Sequence, residues 1–69
     1  MVEFRDCIGR LTATGDARTG LVENHYKGQK TKALLRIGES LTIERENVIT
    51  IITRISTTAF NVESRLLAA

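Results

Sequence analysis

The 69-residue sequence has no proline, no tryptophan, one cysteine and one histidine. A lone cysteine cannot close an internal disulfide, and no Cys/His cluster has the spacing of a zinc site, so we expect no metal and no cofactor. No apolar run approaches the length of about 20 residues that a membrane helix needs. The opening MVEFRDC lacks the basic and apolar regions of a secretory signal. These absences favour a cytoplasmic protein, in which Cys7 is a small buried hydrophobic residue.

Aromatic residues are also few, and this limits the core. Phe4, Tyr26 and Phe60 are the three aromatic residues of the chain. Leu, Ile, Val and Phe still total 20 of 69 residues, which exceeds the level typical of disordered chains. A single domain of this size buries only about 60% of its unfolded surface, so small domains without disulfides or metals often assemble. We therefore expect a homo-oligomer.

Side chains branched at Cβ dominate the sequence, since threonine, isoleucine and valine total 20 residues. They are stiff at χ1 and favour strands. The sequence therefore predicts one all-β domain over residues 1–69, a small antiparallel sheet or barrel-like meander of five or six short strands. The expected strands lie near residues 3–13, 17–26, 30–37, 41–45, 48–55 and 59–64.

Turn residues separate these strands, with glycine the most frequent signal. Gly20 falls inside the second expected strand, where it predicts a bulge. Strict alternation in LTIE predicts that Leu41 and Ile43 share one face of their strand. The predicted turns lie at residues 15–16, 27–29, 38–40, 46–47 and 57–58.

The segment VITIITRI is apolar on both faces. A helix over residues 44–56 is the competing interpretation, because Val48, Ile52 and Ile55 have helical spacing, but the β-branched residues favour a strand. A strand covered on both faces is either central or part of a subunit interface. The residues expected at an oligomer interface are Val48, Ile49, Ile51 and Ile52. For residues 63–69 we expect a short helical turn or an arm.

Charge is unevenly distributed along the chain. Residues 1–38 carry seven Lys/Arg and four Asp/Glu, a net charge of +3, whereas residues 39–69 carry three and four, a net charge of −1. No acidic residue occurs between Glu23 and Glu39. Cations beside an aromatic ring suit nucleic acid, because they neutralise phosphates while the ring stacks on a base. The expected nucleic-acid-binding residues are His25, Tyr26, Lys27, Lys30, Lys32 and Arg36, with Lys30, Lys32 and Arg36 on one face of a strand.

The same residues also allow a simpler interpretation. A solvated strand face carries such charges without any ligand, and lysine on a strand discourages edge-to-edge pairing. For catalysis the signals are weaker still. The sequence places no serine, cysteine or carboxylate beside His25 for general base catalysis, and neither glycine-rich phosphate motif is present. We therefore expect a protein that is not an enzyme.

Two segments resemble small β-sheet RNA-binding regulators. The stretch LLRIGESLTI opens a segment, residues 34–62, that resembles the carbon storage regulator family, β-sheet dimers that bind GGA-bearing RNA loops. The spacing of Asp16, Arg18, Glu23 and Lys27-Gly28 resembles part of the tryptophan RNA-binding attenuation protein, a ring of small β subunits. The Ala-Pro step of the first family has no counterpart in this proline-free chain.

These observations predict a non-enzymatic regulator that binds single-stranded RNA or DNA through its basic strand region. The alternative is a small phage-type or accessory protein-interaction module, an inhibitor or assembly factor that acts by binding another protein. A third interpretation is a building block of a virion or another large assembly. None of the three requires a membrane.

Overall fold

A computed structural model describes residues 1–26 and 29–67, with the side chains of residues 26–30 outside the description. The described chain is all-β and contains no helix. Its high content of β-branched residues accounts for this, and the expected fold class is confirmed. The strands are β1 (Val2–Arg5), β2 (Leu11–Asp16), β3 (Leu21–Tyr26), β4 (Gln29–Leu34), β5 (Ser40–Arg45), β6 (Val48–Arg54) and β7 (Phe60–Leu66).

The strands form two antiparallel meanders in place of one. The first sheet has the order β1-β2-β3-β4 and the second has the order β5-β6-β7. Every pair joins strands that are neighbours in sequence, and each pair is antiparallel. The expected count of five or six strands is wrong by at least one, because the expected strand 3–13 divides into β1 and β2.

Asp6 makes that division. Its side chain accepts hydrogen bonds from the backbone N–H groups of Ile8 (3.1 Å) and Arg10 (2.9 Å), which bends the chain into a turn. Gly9 completes the turn with a φ of 86°. Cys7 stands in this turn and is exposed, so its expected burial is wrong.

The next turn lies further along the chain than expected. Gly15 belongs to β2, and the turn spans residues 17–20. Gly15 is required for packing, because a Cβ atom there would lie 2.7 Å from Cε2 of Phe4. Gly20 is not a bulge: it ends the turn with a φ of 83°, and its carbonyl accepts a hydrogen bond from the N–H of Leu35 (2.8 Å).

The second sheet follows the sequence pattern closely. Glu46 (φ 49°) and Asn47 (φ 65°) form the two-residue turn between β5 and β6, as left-handed residues do in hairpins. β6 replaces the alternative helix over 44–56. Of the helical turn or arm expected over 63–69, the helical turn is wrong for the described part, since residues 63–66 continue β7 opposite residues 48–51 of β6.

The core lies between the two sheets. Phe4 and Phe60 come from different sheets and meet edge to face, with ring centroids 5.0 Å apart. Leu41 and Phe60 are partly buried against the cluster. The buried cluster consists of Phe4, Ala13, Val22 and Leu35 from the first half of the chain, and Ile43 and Ile52 from the second.

Arg54 joins the sheets at one end of this core. Its guanidinium donates hydrogen bonds to the carbonyls of Ala17 (2.9 Å), Leu35 (3.0 Å) and Arg18 (3.1 Å). Three backbone acceptors from two separate connections are thereby held to one strand of the second sheet. The sequence pattern did not indicate that Arg54 joins the sheets, because in sequence it is simply a charged residue at the end of an apolar strand.

Candidate nucleic-acid interface

The β3–β4 hairpin carries most of the residues expected to bind nucleic acid. The register sets His25 opposite Lys30 and Glu23 opposite Lys32. β4 is the edge strand of its sheet, so one side of this hairpin has no strand neighbour among the described residues. Lys27 lies outside the described residues, and Tyr26 and Lys30 are described by their backbone alone.

His25 is held on the sheet surface by a neighbouring strand. Its Nε2 lies 3.2 Å from Oγ1 of Thr14, with the direction of the hydrogen bond set by the tautomer. The same nitrogen lies 4.0 Å from a carboxylate oxygen of Glu23. The imidazole side chain is about one-third exposed. The imidazole ring of His25 is therefore held through Nε2, while another part of the ring is exposed to solvent.

Glu23 is the residue that sequence reasoning missed. The basic segment contains no acid in sequence, but the hairpin brings Oε1 of Glu23 to 3.9 Å from Nζ of Lys32. The lysine side chain is 65% exposed, whereas that of the glutamate is 18% exposed. An ion pair this open contributes between about 0 and 1 kcal/mol. Lys32 can therefore exchange the carboxylate for a phosphate at little cost.

Arg36 does not share a strand with the lysines. The expected strand 30–37 ends at Leu34, because Leu35 turns inward to bury its side chain in the core. Arg36 then lies exposed in the connection to the second sheet, where its N–H donates to the Oε1 of Glu39 (2.7 Å). The expectation that Arg36 lies on one strand face with Lys30 and Lys32 is wrong.

The four residues expected at an oligomer interface divide between two environments. Val48 and Ile52 are 2% and 0% exposed inside the chain's own core, so they are not available to a second subunit. Ile49 and Ile51 are half-buried on the opposite face of β6. There they line a depression together with Glu63, Ser64 and Arg65.

A separate ionic cluster joins the turn between β1 and β2 to the turn between β5 and β6. Arg10 contacts Oδ2 of Asp6 through Nε (2.9 Å) and Oε2 of Glu46 through Nη1 (2.6 Å). Burial of Asp6 raises its pKa, but hydrogen bonds from Arg10 and Ile8 and the charge of Arg10 outweigh burial, so the pKa lies below its ordinary value. These charges therefore stabilise the contact between the two turns.

The sheets therefore differ in charge. Residues 1–38, which contain the first sheet, carry a net charge of +3, and residues 39–69, which contain the second, carry −1.

Within the described part of the chain, no group of three or more His, Cys, Asp or Glu residues could hold a metal ion. No helix of that part has the length and apolar character to cross a membrane. Comparisons with protein families, curated proteins and solved structures give no match.

Proposed function

We propose that the protein is a non-enzymatic regulator that binds single-stranded RNA or DNA through the β3–β4 hairpin. The observation that carries the proposal is the concentration of charge: Lys27, Lys30, Lys32 and Arg36 all fall between the start of that hairpin turn and the connection to the second sheet. No acid occurs within that stretch; Glu23 faces Lys32 from β3, and Glu39 accepts a hydrogen bond from the N–H of Arg36. A polyanion is the ligand class that matches this distribution.

Binding would proceed by exchange of ions at a sheet edge. Each lysine ammonium that contacts a phosphate releases condensed counterions, which supplies affinity without base specificity. His25 and Tyr26 are the residues available to stack on bases. The carboxylate of Glu23 lies about equally close to His25 and Lys32. The nucleic-acid strand would therefore approach Lys32 from the solvent side of the hairpin, where the lysine side chain is 65% exposed.

Fluorescence polarisation of short labelled single strands over a salt series tests this proposal. Lys32→Gln and Arg5→Gln each remove one exposed cation, but Arg5 lies on β1, at the opposite edge of the sheet from β4. If Lys32 contacts one phosphate, its variant loses about 0.7 from the slope of log affinity against log salt. The Arg5 variant keeps the wild-type slope. Equal slopes for the two variants, or no binding at low salt, would refute the proposal.

The alternative function is that of an accessory or phage-type module that binds another protein. It is favoured by Ile49 and Ile51, which are not covered by the chain's own core. Ile51→Lys should then abolish capture of a specific partner from nuclease-treated lysate at high salt, whereas Lys32→Gln should retain it. Capture that survives Ile51→Lys, or no specific capture by the wild-type protein, would count against this alternative.

A further inference from the structure

β7 is an open edge strand with few of the features that protect such edges. It is paired with β6 on one side, and no strand borders its other side among the described residues. Its seven residues, FNVESRL, pair with β6 without a bulge and include neither proline nor lysine. Natural edge strands are usually shortened, bulged or charged with lysine, since an open edge can pair with another chain.

The hydrogen-bond pattern identifies which backbone groups face outward. Leu67 donates its N–H to the carbonyl of Asn47 (2.7 Å), so Leu67 is turned toward β6. Along an antiparallel strand, the backbone N–H and C=O groups of successive residues point alternately to one side of the strand and to the other. Arg65, Glu63 and Asn61 are therefore directed at β6 as well. The N–H and C=O groups of the alternate residues, Phe60, Val62, Ser64 and Leu66, point away from the sheet.

The side chains of β7 are complementary to themselves. We propose that two copies of the chain pair antiparallel through β7, with a two-fold axis at Ser64. The outward-facing backbone groups of Ser64 then meet those of the partner subunit's Ser64. Glu63 lies opposite Arg65 of the partner subunit, and the two-fold axis repeats this ion pair.

Apolar contacts accompany the ion pairs on the other face of the strand. Val62 lies opposite Leu66 of the partner subunit, again twice. These side chains are 37% and 63% exposed in the single chain. Between them, on the same face, Oγ of Ser64 accepts a hydrogen bond from the N–H of Cys7 (2.9 Å). Pairing would join the three-stranded sheets into one sheet of six strands.

Other registers are disfavoured by charge. An axis at Glu63 sets two glutamates opposite each other, and an axis at Arg65 does the same with two arginines; like charges at such positions are destabilising. An axis at Val62 leaves Glu63 opposite Asn61 and forms no ion pair. Registers centred between residues would oppose outward-facing backbone groups with inward-facing ones. The Ser64 register is thus the one that satisfies both hydrogen bonds and charge.

Sedimentation equilibrium with a charge swap tests the pairing independently of nucleic-acid binding. Glu63→Arg and Arg65→Glu each place like charges opposite each other at two positions, which should weaken dimerisation at least about tenfold. The double variant Glu63→Arg/Arg65→Glu restores both ion pairs in reverse and should recover the dimer. Glu44→Arg is the matched control, because it makes the same charge change at an exposed position of β5, the other edge strand of this sheet.

Amide hydrogen exchange locates the contact. On dimerisation, the amides of Val62, Ser64 and Leu66 should gain protection that increases with protein concentration, whereas that of Glu63 should change little because it already bonds to β6. A wild-type protein that is monomeric at every concentration would overturn the proposal. So would a dimer that the double variant fails to restore, or one that leaves the alternate amides unprotected.

Discussion

A comparison of Gly20 with Gly9 separates the effect of close packing at Gly20 from the effect of its positive φ. Both have a positive φ, 83° and 86° respectively, so alanine should incur a similar backbone penalty of about 1 kcal/mol at either position. Their surroundings differ. A Cβ atom on Gly9 meets no heavy atom within 4 Å, whereas one on Gly20 would lie 2.1 Å from the carbonyl oxygen of Leu35 and 2.8 Å from Nη1 of Arg54.

That overlap cannot be relieved by a flexible side chain, since the nearest atom belongs to the backbone. Overpacking of this kind typically costs about 1–3 kcal/mol, and displacing Leu35 also weakens the hydrogen bond from its N–H to Gly20, which is worth about 1 kcal/mol. We therefore expect Gly20→Ala to lower the free energy of unfolding by about 3–5 kcal/mol, against about 1 kcal/mol for Gly9→Ala. Domains of this length have total stabilities of only about 3–10 kcal/mol.

Urea unfolding followed by circular dichroism measures both values. If Gly20→Ala is too unstable for a baseline, thermal unfolding gives a lower bound, because 1 kcal/mol corresponds to about 4–8 °C in domains of this size. Equal losses for the two variants would refute the reasoning. The close approach of Gly20 to Leu35 would then not contribute to the stability of the domain.

Three further changes test other contacts of the fold. Arg54→Met keeps the aliphatic stem but leaves the half-buried carbonyls of Ala17 and Leu35 without their donor, and should cost about 2–4 kcal/mol in urea unfolding; a loss below 1 kcal/mol would contradict the bridging role. Asp6→Asn keeps an acceptor for the turn but removes the charge. Because the pKa of Asp6 is lowered from 3.8, its contribution is present above that value and is lost as the pH falls through the lower folded pKa. The variant should therefore be less stable than wild type at neutral pH, and the difference should shrink in acid; a constant difference would argue against the ion pair. Cys7→Ser should change stability by less than about 0.5 kcal/mol, since the side chain is exposed, and a larger loss would indicate a buried thiol.

The second sheet could be predicted from sequence because its signals are local. Leu41 and Ile43 alternate with polar residues and do share the inward face of β5. Glu46 and Asn47 form the turn expected between two strands. Each of these features depends on residues next to one another in the chain, which is the range over which pattern reasoning operates.

The first sheet was harder to predict from sequence, because its glycines are required by contacts with residues that are distant in the chain. Gly15 has the sequence context of a turn residue but lies in β2, where its missing side chain leaves room for the ring of Phe4. The turn itself ends at Gly20, which has the positive φ. Asp6 divides the expected strand 3–13 because its side chain accepts backbone hydrogen bonds, which no local sequence signal indicates. The candidate site has the same difficulty: the acid-free segment is evident in sequence, but the carboxylate of Glu23 joins it only through the register of the hairpin.

The three hydrogen bonds of Arg54 bear on how the chain folds. All strand pairs join neighbours in sequence, so each hairpin can form early at a small cost in loop closure. The contacts of Arg54 span 19, 36 and 37 residues, and they require both meanders to be in place. We expect them to form after the rate-limiting step, so that loss of the guanidinium accelerates unfolding and leaves the folding rate almost unchanged. One arginine would then govern how long the native state lasts and have little influence on how fast it is reached.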